Sequence, residues 1–94
     1  MHAFGGADVL ALEDAPMPTL EPGEVLVRVH AAGVNPVDWK IREGKFRTKA
    51  ALPLTLGRDA SGTVEAVGSG VTEFKVGDAV YGMLYSHGGG YAEF

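Results

Sequence analysis

The sequence predicts a mainly β fold, a barrel or sandwich carrying one short helix, on three observations. Fourteen glycines punctuate short runs rich in branched aliphatic residues. The best of these runs alternates apolar and polar side chains with a period of two. A single stretch, opening at Asn35-Pro36, carries helix-start chemistry, so repeated βαβ units are not indicated. The 94 residues, 46% of them hydrophobic, make one small domain. A domain of this size buries only about 60–70% of the surface its unfolded chain exposes, so a face shaped for a partner costs stability when bare.

The elements follow in order. Residues 9–13, Val-Leu-Ala-Leu-Glu, read as a first short strand that ends before Ala15-Pro16-Met17-Pro18. Pro22-Gly23 is a turn signal, proline presetting φ and glycine accepting a positive one. Residues 24–34 form the clearest strand, with Val25, Val27, Val29 and Ala31 on one face and Leu26, Arg28 and His30 on the other. Asn35 suits an N-cap, Pro36 the first helical turn, and Asp38 places a carboxylate near the positive end of the helix dipole. Gly44 is the natural stop, giving a helix over residues 36–43. Residues 45–57 read as a loop broken by Pro53 and Gly57. Further strands are expected at 60–67, 79–84 and 91–94, with turns at Gly68-Ser69-Gly70, Gly77-Asp78 and Gly88-Gly89-Gly90.

Composition narrows the function. A formal charge of −4 opposes a nucleic-acid partner, which wants a basic surface. With no cysteine there is no disulfide, thiolate metal site or cysteine nucleophile. No apolar run approaches the roughly 20 residues of a membrane span, and the N-terminus lacks a signal pattern. A cytoplasmic location is the default expectation.

Four blocks of residues then carry a resemblance. They are Phe4 to Leu10 with Pro22-Gly23-Glu24-Val25-Leu26-Val27-Arg28-Val29; Ala31-Ala32-Gly33-Val34-Asn35-Pro36-Val37-Asp38; Leu56-Gly57-Arg58-Asp59-Ala60-Ser61-Gly62-Thr63-Val64; and Gly68-Ser69-Gly70-Val71 with the segment from Phe74 to Gly82. In this order they resemble the zinc-independent quinone oxidoreductases of the medium-chain dehydrogenase/reductase superfamily. The resemblance implies a GroES-like, partly open β-barrel with one short helix, forming the N-terminal catalytic, substrate-binding domain over residues 1–94. It also implies NADPH as cofactor, held by a Rossmann domain that these residues do not contain. Family members carry a fuller first strand and a long C-terminal continuation, so the chain reads as truncated at both ends.

The residues themselves give no dinucleotide fingerprint. Gly68-Ser69-Gly70 follows a strand, but Glu73 stands at the third glycine position, where a carboxylate opposes pyrophosphate. Gly88-Gly89-Gly90 opens no helix. Both read as β-turns, and tight dinucleotide binding by this chain alone is not expected.

Zinc-dependent relatives place a cysteine at the position of Asn35 and a histidine at that of Arg58. An amide is a poor zinc ligand, and a guanidinium has no lone pair to give. Asp59 falls on the relatives' carboxylate position but stands alone, and His2, His30 and His87 show no ligand spacing. Catalytic zinc is therefore not expected, and His30 reads as a surface residue.

Metal-free reduction needs an electrophile about 3–3.5 Å from the hydride donor and hydrogen-bond donors at the oxygen that gains charge. The resemblance places Asn35 near nicotinamide and substrate, a role compatible with capping the helix. Lys40 stands where many quinone reductases have a tyrosine pointing into the cleft. It would donate to a quinone oxygen or pair with a cofactor phosphate; the alternative is a solvated helix lysine. Val37 cannot relay a proton as the hydroxyl residue of zinc alcohol dehydrogenases does. Lys40, Arg42, Lys45, Arg47 and Lys49 against Glu43 form either an electrostatic lip for an anion or a solvated loop face. Trp39 and Phe46 either stack on a flat ring or pack beneath the loop. Arg58 and Asp59 are expected to fix the cleft by hydrogen bonds.

Three readings result. One is the substrate domain of an NADPH-dependent, metal-free quinone or enone reductase, inactive as this chain alone. Another is a free-standing barrel serving as an interaction or structural module. The third, a fragment of a zinc alcohol dehydrogenase, is disfavoured by Asn35, Val37 and Arg58. Bare barrel surface and open sheet edges also lead to an expectation of self-association.

Overall fold

The computed structural model describes residues 1–46, 51–85 and 88–94. A 3-10 turn at Ala7–Val9 is followed by strand β1 (Val25–Ala32), helix α1 (Pro36–Arg42), strand β2 (Asp59–Val67) and strand β3 (Ala79–Met83). The strands form one open antiparallel sheet in the order β1-β2-β3, so the fold is mainly β with one short helix. The long strands and the helix begin within one residue of their expected positions.

The expected alternation along β1 is broken. Its register with β2 shifts between Leu26 and Val27 and again between Val29 and Ala31. The first shift leaves Glu65 of β2 as the extra residue and the second leaves His30 of β1, which re-aims the β1 side chains beyond it. Val25, Leu26 and Val27 are all half-buried, and beyond the His30 bulge Ala31 is exposed while Ala32 is half-buried. Arg28 and His30 do face outward. Arg28 forks onto Glu65 of β2 at 3.1 and 3.2 Å and lies 4.9 Å from the centre of the Phe94 ring.

Two expected strands are absent. Residues 9–13 contain the end of the 3-10 turn, closed by Leu10 N–H donating to the Ala7 carbonyl at 3.1 Å, and then irregular chain. Leu10 and Leu12 are exposed, because no strand among the described residues lies beside them to complete a ladder. Residues 91–94 form no strand either. Their one rung on β1 is Val29 N–H donating to the Glu93 carbonyl at 2.8 Å, while Tyr91 N–H turns to the Leu56 carbonyl at 2.9 Å.

Helix α1 ends as its sequence dictates. Gly44 takes φ +73°, its N–H donates to the Ile41 carbonyl, and Lys45 N–H reaches the Lys40 carbonyl, each at 2.9 Å. This is a Schellman closure, which needs a left-handed residue at Gly44. The N-terminal segment docks alongside: Gly5 N–H donates to the Arg42 carbonyl at 2.9 Å and Arg42 Nε to the Gly5 carbonyl at 3.2 Å.

The core is thin. Met1, Ile41 and Leu56 make one buried cluster, flanked by Val9, Val37 and Leu54, and Val64 is buried separately in β2. The Cα radius of gyration of 13.9 Å exceeds the roughly 12 Å of a compact domain this long. The elongation of the chain, 40 × 23 × 23 Å along its principal axes, accounts for the difference, and Tyr81 and Met83 on β3 are exposed.

Candidate active site

The end of β1, the start of α1 and the entrance to β2 meet at two carboxylates. Asp59, the first residue of β2, takes Gly33 N–H on Oδ1 at 2.9 Å and the Asn35 side-chain Nδ2 on Oδ2 at 2.8 Å. A carboxylate only accepts, so this contact fixes which way the Asn35 amide faces. The second Nδ2 hydrogen has no partner among the described residues. Gly33 is required here: a Cβ on it would run into the Asp59 carboxylate.

Asp38 is the second carboxylate, 3% exposed in the first turn of α1. It forms a capping box with Asn35, accepting the Asn35 backbone N–H on Oδ2 at 2.9 Å. The same oxygen accepts the Tyr91 hydroxyl at 3.0 Å, and Oδ1 accepts Gly57 N–H at 3.1 Å. Burial, then the hydrogen bond to Asp38 and the charges of Asp38 and Asp59, pushes the Tyr91 phenol up to about 12. Sequence reasoning treated Asp38 only as a complement to the helix dipole, and Tyr91 only as the start of a strand. The capping-box spacing was the available signal for the first; nothing local signalled the second.

Of the residues singled out from sequence, Asn35 and Asp59 are brought into direct contact. Arg58 adjoins them in the chain, but its guanidinium donates to the carbonyls of Leu84 and Tyr85 at 3.4 and 3.2 Å, tying β2 to the end of β3. Lys40 and Trp39 lie further along α1, with Lys40 Nζ 5.6 Å and Lys45 Nζ 4.3 Å from the Trp39 ring centre. Arg42 is committed to the Gly5 carbonyl and to Glu43. Lys45 pairs with Glu43 at 2.7 Å. Within the expected basic lip Glu43 thus pairs with two of the cations, and its own carboxyl is held below the usual range, first by the Lys45 hydrogen bond. Arg47, Lys49 and His87 lie outside the described residues.

Part of each glycine turn is tied into the fold. Gly68 N–H donates to the Glu24 carbonyl at 2.8 Å, and Gly23 N–H donates to the Ser69 carbonyl at 2.9 Å. Gly90 N–H donates to Gly57 at 3.2 Å, and no helix follows either turn. These N–H groups are spent within the fold instead of pointing at an anion. Among the described residues no group of three or more His, Cys, Asp or Glu side chains is placed to hold a metal ion. Among the described residues no helix is long and apolar enough to cross a membrane.

An open antiparallel sheet with one short helix among the described residues is consistent with part of a GroES-like barrel. The chain belongs to the alcohol dehydrogenase GroES-like domain family, whose model matches residues 21–94. Quinone oxidoreductase of Rattus norvegicus is 49% identical over 92 residues, covering 97% of this chain and 28% of the rat protein. The structure of the quinone oxidoreductase from Coxiella burnetii superposes with a TM-score of 0.91 at 40% identity, over 98% of this chain and 31% of that one. Escherichia coli quinone oxidoreductase complexed with NADPH superposes with a TM-score of 0.73 at 41% identity, over 85% of this chain and 24% of that one. The chain spans less than a third of the length of each of these relatives.

Proposed function

We propose that this chain is the substrate-facing domain of an NADPH-dependent, metal-free quinone or enone reductase in the cytoplasm. The observation that carries the reading is the Asn35 amide, held by Asp59 at 2.8 Å with one N–H unspent. When bound, NADPH supplies the hydride. Asn35 then donates its remaining N–H to the oxygen that gains charge, already oriented before the reaction begins. In this reading Lys40 is the cationic donor toward a quinone oxygen or a cofactor phosphate, and the partly exposed Trp39 beside it is the flat surface for a quinone ring. Arg58 and Asp59 hold the cleft wall through their hydrogen bonds. Arg42, paired with Glu43 and the Gly5 carbonyl, anchors the helix.

Zinc chemistry is disfavoured by the donor set. The amide of Asn35 is committed to Asp59, and the Arg58 guanidinium cannot ligate. The glycine turns carry no dinucleotide fingerprint, so this reading assigns the dinucleotide to a separate cofactor-binding domain and expects no turnover by this chain alone.

The test is a chimera in which these residues replace the matching segment of the Escherichia coli quinone oxidoreductase. The reading expects NADPH-driven reduction of benzoquinone that survives a zinc chelator. Oxidation of ethanol with NAD, abolished by the chelator, would favour the alcohol dehydrogenase reading instead.

A further inference from the structure

We infer that Asp38 and Tyr91 are positioning residues for Asn35, acting through a hydrogen-bond junction that locks the start of α1 to the entrance of β2. Three donors from three separate segments converge on the buried Asp38 carboxylate: Asn35 N–H, Gly57 N–H and the Tyr91 hydroxyl. Each matters, because a buried carboxylate left short of donors is costly. The junction grips both ends of the Asn35–Asp59 contact. Asp38 holds Asn35 by its own backbone N–H, and it holds the strand carrying Asp59 through Gly57, two residues upstream.

Tyr91 closes the third side. Its N–H donates to the Leu56 carbonyl at 2.9 Å, and Gly90 N–H donates to the Gly57 carbonyl at 3.2 Å. The phenol is thus carried by the same strand entrance that it clamps to the helix. Tilting α1 away from β2 would break the Asp38 bonds and draw the Asn35 amide off Asp59. Neither Asp38 nor Tyr91 needs to touch a substrate for this.

The inference rests on the quinone-reductase reading only for what Asn35 does; the contacts that hold Asn35 do not depend on it. The experiment is heteronuclear NMR on the 94-residue chain and on its Tyr91→Phe and Asp38→Asn variants, following the Asn35 side-chain NH2 pair. In the unmodified chain the two Nδ2 hydrogens are expected at well-separated shifts, since Asp59 bonds only one. Tyr91→Phe should move the pair toward free-amide shifts and speed exchange of Gly57 N–H about tenfold, with Asp38→Asn doing more. A drop in melting temperature with the Asn35 pair unmoved would reduce the junction to a plain stability element and overturn the proposal. Rapid exchange of Asn35 or Gly57 N–H in the unmodified chain would overturn it too, without any variant having to fold. A chimera inactive toward quinones would leave all these readouts intact, so the two readings fail separately.

Discussion

Asp59 holds the side-chain amide of Asn35 at 2.8 Å while its other oxygen holds Gly33 N–H at 2.9 Å. One side chain therefore joins the last turn of chain after β1, the cap of α1 and the first residue of β2. Asp59→Ala should free the amide to rotate. In the chimera, kcat should fall about 10- to 100-fold with little change in KM, the signature of lost orientation. Steady-state kinetics read both constants.

Gly33 sits against that carboxylate with no room for a methyl group. Gly33→Ala should push Asp59 away and destabilise the fold by about 1–3 kcal/mol. Urea denaturation gives the change in midpoint, and the Asn35 NH2 shifts report whether the amide has come loose.

Ile41 is the most deeply buried member of the cluster that seats α1. Ile41→Ala should cost about 2–5 kcal/mol, a large share of what so small a core supplies. Failure of this variant to show a cooperative melt by circular dichroism agrees with that expectation; a loss below half a degree does not.

Stability should depend on pH at both extremes. Tyr91 has a folded-state value of about 12 against 10.0 for a free phenol, so the folded chain keeps that proton more tightly. Its contribution is complete below pH 10 and is lost as pH climbs toward 12. Melting temperature measured from pH 9 upward should fall less steeply in Tyr91→Phe. At the acid end, Glu65 is lowered by its hydrogen bond from Arg28 and Asp78 by that from Lys75. Their contributions hold above the ordinary carboxylate range and disappear as pH falls below it. Both pairs are at the surface, so added salt should flatten this acid limb.

Edge strand β3 shows neither charge nor proline along Ala79-Val80-Tyr81-Gly82-Met83, and Tyr81 is 91% exposed. Such an edge invites pairing with another chain. Sedimentation of the isolated chain should show concentration-dependent association that Tyr81→Lys reduces; a monomer at every concentration contradicts this.

Local patterns revealed most of the fold. Asn35, Pro36 and Gly44 mark both ends of α1 because capping is settled by a few neighbouring residues. The runs at β1 and β2 were equally plain. Residues 9–13 misled because a strand exists only beside a partner, and alternation says nothing about whether one is present. The bulges at His30 of β1 and Glu65 of β2 arise from the pairing of the two strands, so period-two reading could not contain them. The site divided the same way. Asn35 and Asp59 were legible through family resemblance, whereas the Asp38–Tyr91 bond joins residues 53 positions apart and is created by the fold alone.

The measurement that tests the central claim most directly is kcat for NADPH-driven quinone reduction by the chimera and its Asn35→Ala variant. The account predicts a fall of about 100-fold or more, because a preoriented donor to the developing charge is removed. Unchanged kcat would contradict it, leaving Asn35 a helix cap and nothing more.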